Sequence, residues 1–234
     1  MIGAKCIYRE CAMEIEIRAI GKAYGKKKVL ESIDFTAQGG QCIGILGGNG
    51  CGKSTLLSIL AGIQPADGGE FLYEGKDLFR YSAQRSQLVG YVPQGTPLIE
   101  ELSAKDNLSL WYDKKEMEKQ LESGILKMLD IDTFLKTPVK KMSGGMKKRL
   151  SIGCAVAHLP PILILDEPMA ALDIICKQKI CQFIRAHKEK GGIAIIASHD
   201  VMEIGLCDKW YIMKNGGLTP YVYTGETDSL VQNL

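Results

Sequence analysis

The stretch Gly47-Gly48-Asn49-Gly50-Cys51-Gly52-Lys53-Ser54 constrains this chain more than any other. It follows an apolar run, residues 41–46, and opens a segment of helical pattern, residues 53–61, closed by Gly62. Strand, glycine loop and helix in that order make a phosphate cradle, because successive backbone N–H groups and the positive end of the helix face one anion. Glycines are needed where a Cβ would block close approach or forbid the backbone angles. In such a loop Lys53 reaches the outer phosphates of a nucleotide and the Ser54 hydroxyl suits Mg2+. The pattern arises by accident in roughly one chain in a hundred of this length, and the flanking strand and helix lower that rate. The nucleotide-binding candidates are therefore Gly47, Gly48, Asn49, Gly50, Cys51, Gly52, Lys53, Ser54 and the adjoining Thr55.

With 234 residues the chain has room for one sizeable α/β domain and a subdomain. Its 29 Lys+Arg against 27 Asp+Glu leave a net charge of +2, which provides no electrostatic footprint for nucleic acid, so none is expected as a partner. The local clusters Lys26-Lys27-Lys28 and Lys147-Lys148-Arg149 read as solvated faces. Eight cysteines are many for this length, but the pairs 6/11 and 176/181 lack C-x-x-C spacing, and His158, His187 and His199 do not cluster with them. Cys42 and Cys154 sit in apolar runs, where cysteine packs as a small hydrophobe, so reduced thiols are expected rather than a disulfide framework.

No apolar run approaches the roughly 20 residues that span a bilayer. Residues 151–165 come nearest and are broken by His158, Pro160 and Pro161. The first residues carry Lys5, Arg9 and Glu10 without the apolar centre of a signal peptide. Any membrane role is therefore expected to come through a partner.

Residues 1–12 show little pattern and read as a tail. Residues 14–18 alternate as a half-buried strand, and residues 29–35, 70–73 and 88–92 read as further strands. From about 100 to 160 the pattern turns helical, with Met117, Leu121, Ile125, Leu126 and Met128 at helical spacing over 114–128. Strand signals resume at 162–165 and 193–197, around a helix expected over 173–188. Strands alternating with helices imply a largely parallel sheet with covered faces, interrupted by a helical insertion.

Ile162-Leu163-Ile164-Leu165 runs directly into Asp166-Glu167. A buried strand that ends in carboxylates delivers them rigidly to the carboxyl edge of the sheet. Asp166 suits Mg2+, and Glu167 suits polarising an attacking water as general base. Alone, such a segment would be a core strand with an acidic turn; beside a phosphate loop it becomes a candidate catalytic element.

Together with Met142-Ser143-Gly144-Gly145-Met146, these motifs resemble those of the nucleotide-binding subunit of ATP-binding-cassette (ABC) transporters, over residues 13 to about 215. Ser143-Gly144-Gly145, just upstream of the aliphatic Asp-Glu strand, is similar to that family's signature. The resemblance implies an α/β fold: a P-loop nucleotide hydrolase core (about 13–98 and 161–214) with a largely parallel sheet, an antiparallel β subdomain, an inserted helical subdomain (about 99–160) and a short C-terminal segment, 215–234. It implies that Ser143, Gly144 and Gly145 meet the γ-phosphate of ATP held by a second cassette, which fits the anion affinity of a helix start. Tyr24, in Ala23-Tyr24-Gly25, resembles the aromatic that stacks on adenine. Gln94, after Val92-Pro93, resembles the glutamine that touches Mg2+ and the attacking water. Asp173, in Ala170-Ala171-Leu172-Asp173, resembles the acidic member of the dimer-contact loop, and His199, in Ala197-Ser198-His199-Asp200, the switch histidine at the γ-phosphate.

Met142 and Met146 replace the usual Leu and Gln of the signature, Gly48 a common Pro, and Ala170 a common Ser. None of these removes a catalytic group, so a competent ATPase is expected. The expected cofactors are ATP and Mg2+, and the expected partners are a second cassette, identical or related, and an integral membrane subunit that holds the protein at the cytoplasmic face. The stretch 143–150 looks more like export-type cassettes, and the chain ends too soon after the last core strand for the regulatory domain of some importers. Two other readings use the same motifs: a soluble cassette ATPase serving a cytosolic assembly, and a nucleotide-binding regulator that does not hydrolyse ATP. Finally, Cys51 lies at the positive end of a helix near Lys53, a setting that favours thiolate, so alkylation there is expected to inactivate and ATP to protect.

Overall fold

The computed structural model describes residues 13–198, 203 and 205–222. Two strands come first, β1 (Glu14–Tyr24) and β2 (Lys27–Gln38), joined by a turn at Gly25 and paired antiparallel. β3 (Cys42–Leu46) leads through the glycine loop into α1 (Lys53–Ala61). β4 (Gly68–Tyr73) pairs antiparallel with β1, and the two-residue β5 (Lys76–Asp77) with β4. α2 (Ser82–Leu88) and β6 (Val89–Val92) follow. The helical stretch comprises α3 (Ala104–Leu108), α4 (Lys114–Ser123), α5 (Ile125–Met128) and α6 (Gly144–Ala155). The chain then returns through β7 (Ile162–Asp166), α7 (Ile174–Glu189), β8 (Ile193–Ala197), β9 (Lys209–Lys214) and β10 (Gly217–Tyr221).

The strands form a four-stranded sheet of order β2-β1-β4-β5 and a six-stranded sheet of order β10-β9-β3-β8-β7-β6. In the larger sheet β9, β3, β8, β7 and β6 run parallel, and β10 is an antiparallel edge. Side chains alternate between its faces with the strand period of two. Ile43, Ile45, Ile162, Ile164, Ile193 and Ile195 pack with the four-stranded sheet and α1. Leu163, Leu165, Ala194 and Ile196 pack with the helical stretch and α7. Both faces are covered, which explains why β3, β7 and β8 are buried throughout and, up to Asp166 at the end of β7, apolar without alternation.

The structure departs from the sequence expectation at three places. The helix expected over 114–128 is split at Gly124, which is extended, and the Gln120 side chain there accepts the N–H of Ile125 at 2.8 Å. A Cβ at Gly124 would lie 2.0 Å from Gln120 Oε1, so only glycine leaves space for that cap. The sheet continues past residue 214, through β10, because Asn215 and Gly216 take positive φ and turn the chain back on β9. The Lys147-Lys148-Arg149 cluster is not a solvated face: Lys148 is buried, and Arg149 donates to the Leu129 carbonyl at 3.0 Å. Lys26, Lys27 and Lys28 are exposed. The tail expected at 1–12 lies outside the described residues.

Candidate active site

Parallel topology gathers the candidate residues before any side chain is considered. β3, β7, β6 and β8 point the same way, so their carboxyl ends share one edge of the sheet. β3 ends at the glycine loop, β7 at Asp166-Glu167, β6 at Pro93-Gln94, and β8 at Ser198. Such an edge is where ligands bind in open α/β sheets.

The glycine loop has a fixed shape. Gly50 and Gly52 hold φ of 75° and 116°, a region that disfavours side chains, and a Cβ at Gly47 would sit 2.6 Å from both Cys51 Sγ and the Met213 carbonyl. Gly48, Asn49, Gly50 and Ser54 are exposed, forming the rim, whereas Lys53 is only 5% exposed. Its ammonium donates to the Gly47 carbonyl at 2.7 Å and the Gly48 carbonyl at 3.2 Å, inside the loop that it would share with a phosphate. Thr55 follows on α1 with partial exposure, and Cys51 packs partly against the apolar cluster beneath.

Asp166 is 2% exposed. Burial pushes its carboxyl up; the Glu167 charge adds to this, while the Ser54 hydrogen bond and the Lys53 and Lys148 ammonium groups oppose it. Its Oδ1 is buried without a hydrogen-bond partner. A buried orphan carboxylate oxygen beside a serine hydroxyl is an incomplete oxygen donor set, which fits a hard divalent cation.

Glu167 continues the ladder of β7, donating its N–H to the Ala197 carbonyl at 2.9 Å. Its φ of 46° is left-handed, a conformation that non-glycine residues adopt at a cost. Gln94 Nε2 donates to Glu167 Oε2 at 2.8 Å. Two residues 73 apart in sequence thus meet at the sheet edge next to Asp166.

Tyr24 ends β1 and is 51% exposed, leaving a ring face for a flat ligand. Its hydroxyl donates to Gln64 Oε1, and Gln64 Nε2 donates to Ser58 Oγ at 2.6 Å and the Thr55 carbonyl at 3.3 Å. The tyrosine is therefore tied to the helix behind the glycine loop. Asp67 steadies the same strand end, accepting from Lys22 Nζ and the Ala23 N–H at 2.7 Å each. Neither Gln64 nor Asp67 had a sequence signal, since their partners on β1 lie 40 to 45 residues away in the chain.

Ser143, Gly144 and Gly145 open α6, with Ser143 Oγ capping the Met146 N–H at 3.2 Å. Ser143 and Gly144 are exposed. The atoms nearest a Cβ at Gly145 belong to Cys176 and Asp173, not to the glycine loop. Asp173 caps α7, accepting the Cys176 N–H at 2.8 Å, and is exposed beside Ala170 and Ala171. The two helix starts lie side by side and face outward. His199 falls outside the described residues; Ser198, just before it, donates its N–H to the Ile45 carbonyl at 3.2 Å.

Sequence reasoning missed Lys148. Its ammonium donates to the Pro93 and Gln94 carbonyls at 3.0 Å each. Burial pushes its pKa down, opposed by the carboxylates of Asp166, Glu167 and Glu203. The signal was its helical spacing: Lys148 shares a face with buried Ser151 and Ile152, one turn further on.

The ABC transporter family model matches residues 30–170. The chain is 34% identical over 207 residues to the linearmycin resistance ATP-binding protein of Bacillus subtilis, covering 86% of this chain and 67% of that protein. It is 31% identical over 224 residues to a sulfate/thiosulfate import ATP-binding protein of Pseudomonas aeruginosa, covering 92% and 68%. Other curated relatives are longer still, and the chain spans 60% of their length. A solved dimeric ATP-binding cassette in a post-hydrolysis state, bound to ADP and Pi, superposes with a TM-score of 0.76 at 26% identity, covering 87% of this chain and 96% of that one. Among the described residues no helix is long and apolar enough to cross a membrane. The phosphate loop, the carboxylates at the strand end and these relatives agree: the chain belongs to the ABC transporter family, as one of its ATP-hydrolysing cassettes.

Proposed function

We propose that this chain powers transport through a separate membrane subunit, closing on a second cassette around ATP and reopening when ATP is hydrolysed. The observation that carries the catalytic part is the Gln94–Glu167 hydrogen bond beside the orphan oxygen of Asp166. In this reading the N–H groups of residues 47–55 and the Lys53 ammonium bind the phosphates, and Tyr24 stacks on adenine. Ser54, Asp166 and Gln94 would hold Mg2+, which would neutralise charge on the transferred phosphoryl group. Glu167 takes a proton from the attacking water, with Gln94 orienting it and His199 near the γ-phosphate. Ser143, Gly144, Gly145 and Asp173 face outward and so are available to a nucleotide on the second cassette. The helical segment of about 99–160 passes motion to the membrane subunit, which places the protein at the cytoplasmic face.

We read the direction as outward. The 143–150 stretch supports this, as does the similarity to a protein named for linearmycin resistance, although import proteins are also among the relatives. Glu167→Gln is expected to bind ATP with Mg2+, to accumulate as a dimer, and to release phosphate at least about 100-fold more slowly, since a general base contributes roughly that much. Near-normal turnover would assign the base elsewhere. Co-purification of a stoichiometric multi-span membrane protein from detergent extracts would support the transport reading, and recovery from the soluble fraction alone would replace it with a cytosolic assembly.

A further inference from the structure

Lys148 has no role in the motifs that identify this chain, yet it is among the few buried charges described. It is 5% exposed, and it lies on α6 one turn after the exposed glycines that open that helix. Both its donations at 3.0 Å go to backbone carbonyls of one short segment, Pro93 and Gln94. That segment is the exit from β6, and the side chain of Gln94 in turn holds Glu167 Oε2 at 2.8 Å. Gln94 itself is exposed, so its own packing does little to fix its position. We propose that Lys148 is a positioning residue for hydrolysis: its ammonium fastens the backbone of the Gln94 segment to α6, and so sets where Gln94 holds the Glu167 carboxylate.

Placing an ammonium out of water is costly unless its donors are used. Here two carbonyls accept from it, and the carboxylates of Asp166, Glu167 and Glu203 supply opposite charge. A buried hydrogen-bonded charge is costly to break because the remaining partners are left unsatisfied. The Pro93 and Gln94 carbonyls would then be free to seek other donors, and the segment to shift. A shift of about 1 Å at a catalytic group costs on the order of 100-fold in rate. In the proposed reading the adenine and phosphates of this chain's own nucleotide are held by Tyr24 and the glycine loop, which Lys148 does not touch, and only the Gln94 share of the Mg2+ contact is affected, so the effect falls mainly on turnover rather than on binding.

The inference rests on Glu167 acting as the base, and the test separates the two. Steady-state phosphate release with ATP and Mg2+ is measured on the full chain for Lys148→Met, Lys148→Arg, Gln94→Ala, the Lys148→Met/Gln94→Ala double variant and Glu167→Gln. Equilibrium binding of a fluorescent ATP analogue is measured in parallel. Methionine keeps the length and packing of lysine and removes both donors. Lys148→Met is expected to lower kcat about tenfold or more with KM and ATP affinity within about twofold, and Lys148→Arg to recover most of the rate. The double variant is expected within about threefold of Gln94→Ala alone, since the two residues act in series. If Lys148→Met does not bind the analogue, Lys148→Gln, which removes the charge and shortens the reach while keeping two N–H donors, takes its place, with a smaller loss of kcat, about threefold or more, at unchanged KM. Unchanged kcat in Lys148→Met, a loss confined to KM, or losses that multiply in the double variant would overturn the inference while a dead Glu167→Gln leaves the catalytic reading standing. An active Glu167→Gln would overturn both.

Discussion

Glu167 sits at a φ of 46°, and that single angle yields a prediction that separates stability from catalysis. A non-glycine residue in the left-handed region costs about 1–2 kcal/mol. Glycine escapes that cost but loses about 0.5–1 kcal/mol more backbone entropy on folding than alanine does. Glu167→Gly and Glu167→Ala both delete the carboxylate and the contact with Gln94, so those losses cancel in the comparison. Both keep the N–H bond to the Ala197 carbonyl. The balance leaves Glu167→Gly more stable than Glu167→Ala by about 0.75 kcal/mol, the midpoint of a span of roughly 0–1.5 kcal/mol. For a chain of this size that midpoint is roughly 1.5–3 °C in Tm. Urea titrations followed by far-UV circular dichroism give the free energies, and phosphate release gives the activity, which both variants are expected to lose. A glycine variant equal to or less stable than the alanine variant would refute the claim that Glu167 is held under backbone strain. The expected result would show a site that gives up stability to aim a carboxylate.

The other two predictions concern the loop and the strand beneath it. Cys51 lies between the loop crest and the apolar cluster, partly accessible; alkylation by N-ethylmaleimide is expected to abolish ATP hydrolysis, and saturating ATP to slow the reaction at least about tenfold by covering the loop. Full activity in protein shown by mass spectrometry to be modified at Cys51 would sink this idea. Gly44 pairs in register with Trp210, and a Cβ there would lie 2.1 Å from the indole ring. Gly44→Ala is expected to cost about 1–3 kcal/mol as overpacking, with part of the loss recovered in Gly44→Ala/Trp210→Leu; equal stability of Gly44→Ala and the wild type in denaturant would contradict the packing.

How much was legible in advance depended on how local each feature is. The helix over Lys53–Ala61 with Gly62 as its cap, and the strand Ile193–Ala197, stand where the sequence pattern placed them. Their signals lie within a few residues: an apolar run, a glycine, a helical period. The break at Gly124 was hidden because it depends on which way the Gln120 side chain turns. β9 and β10 lacked a clear pattern because an edge pair is half exposed and borrows its order from β3.

The sequence by itself determined the phosphate loop, the carboxylate pair at a strand end and the family, because each is written in contiguous residues whose chemistry needs no distant partner. Only the tertiary structure decided which of these groups meet. It brought Gln94 to Glu167 across 73 residues and Lys148 to the Gln94 segment across 54. It also turned a lysine that reads as surface charge into a buried donor. The physical reason is that parallel strands collect their carboxyl ends at one edge whatever their order along the chain, and sequence spacing carries no record of that order.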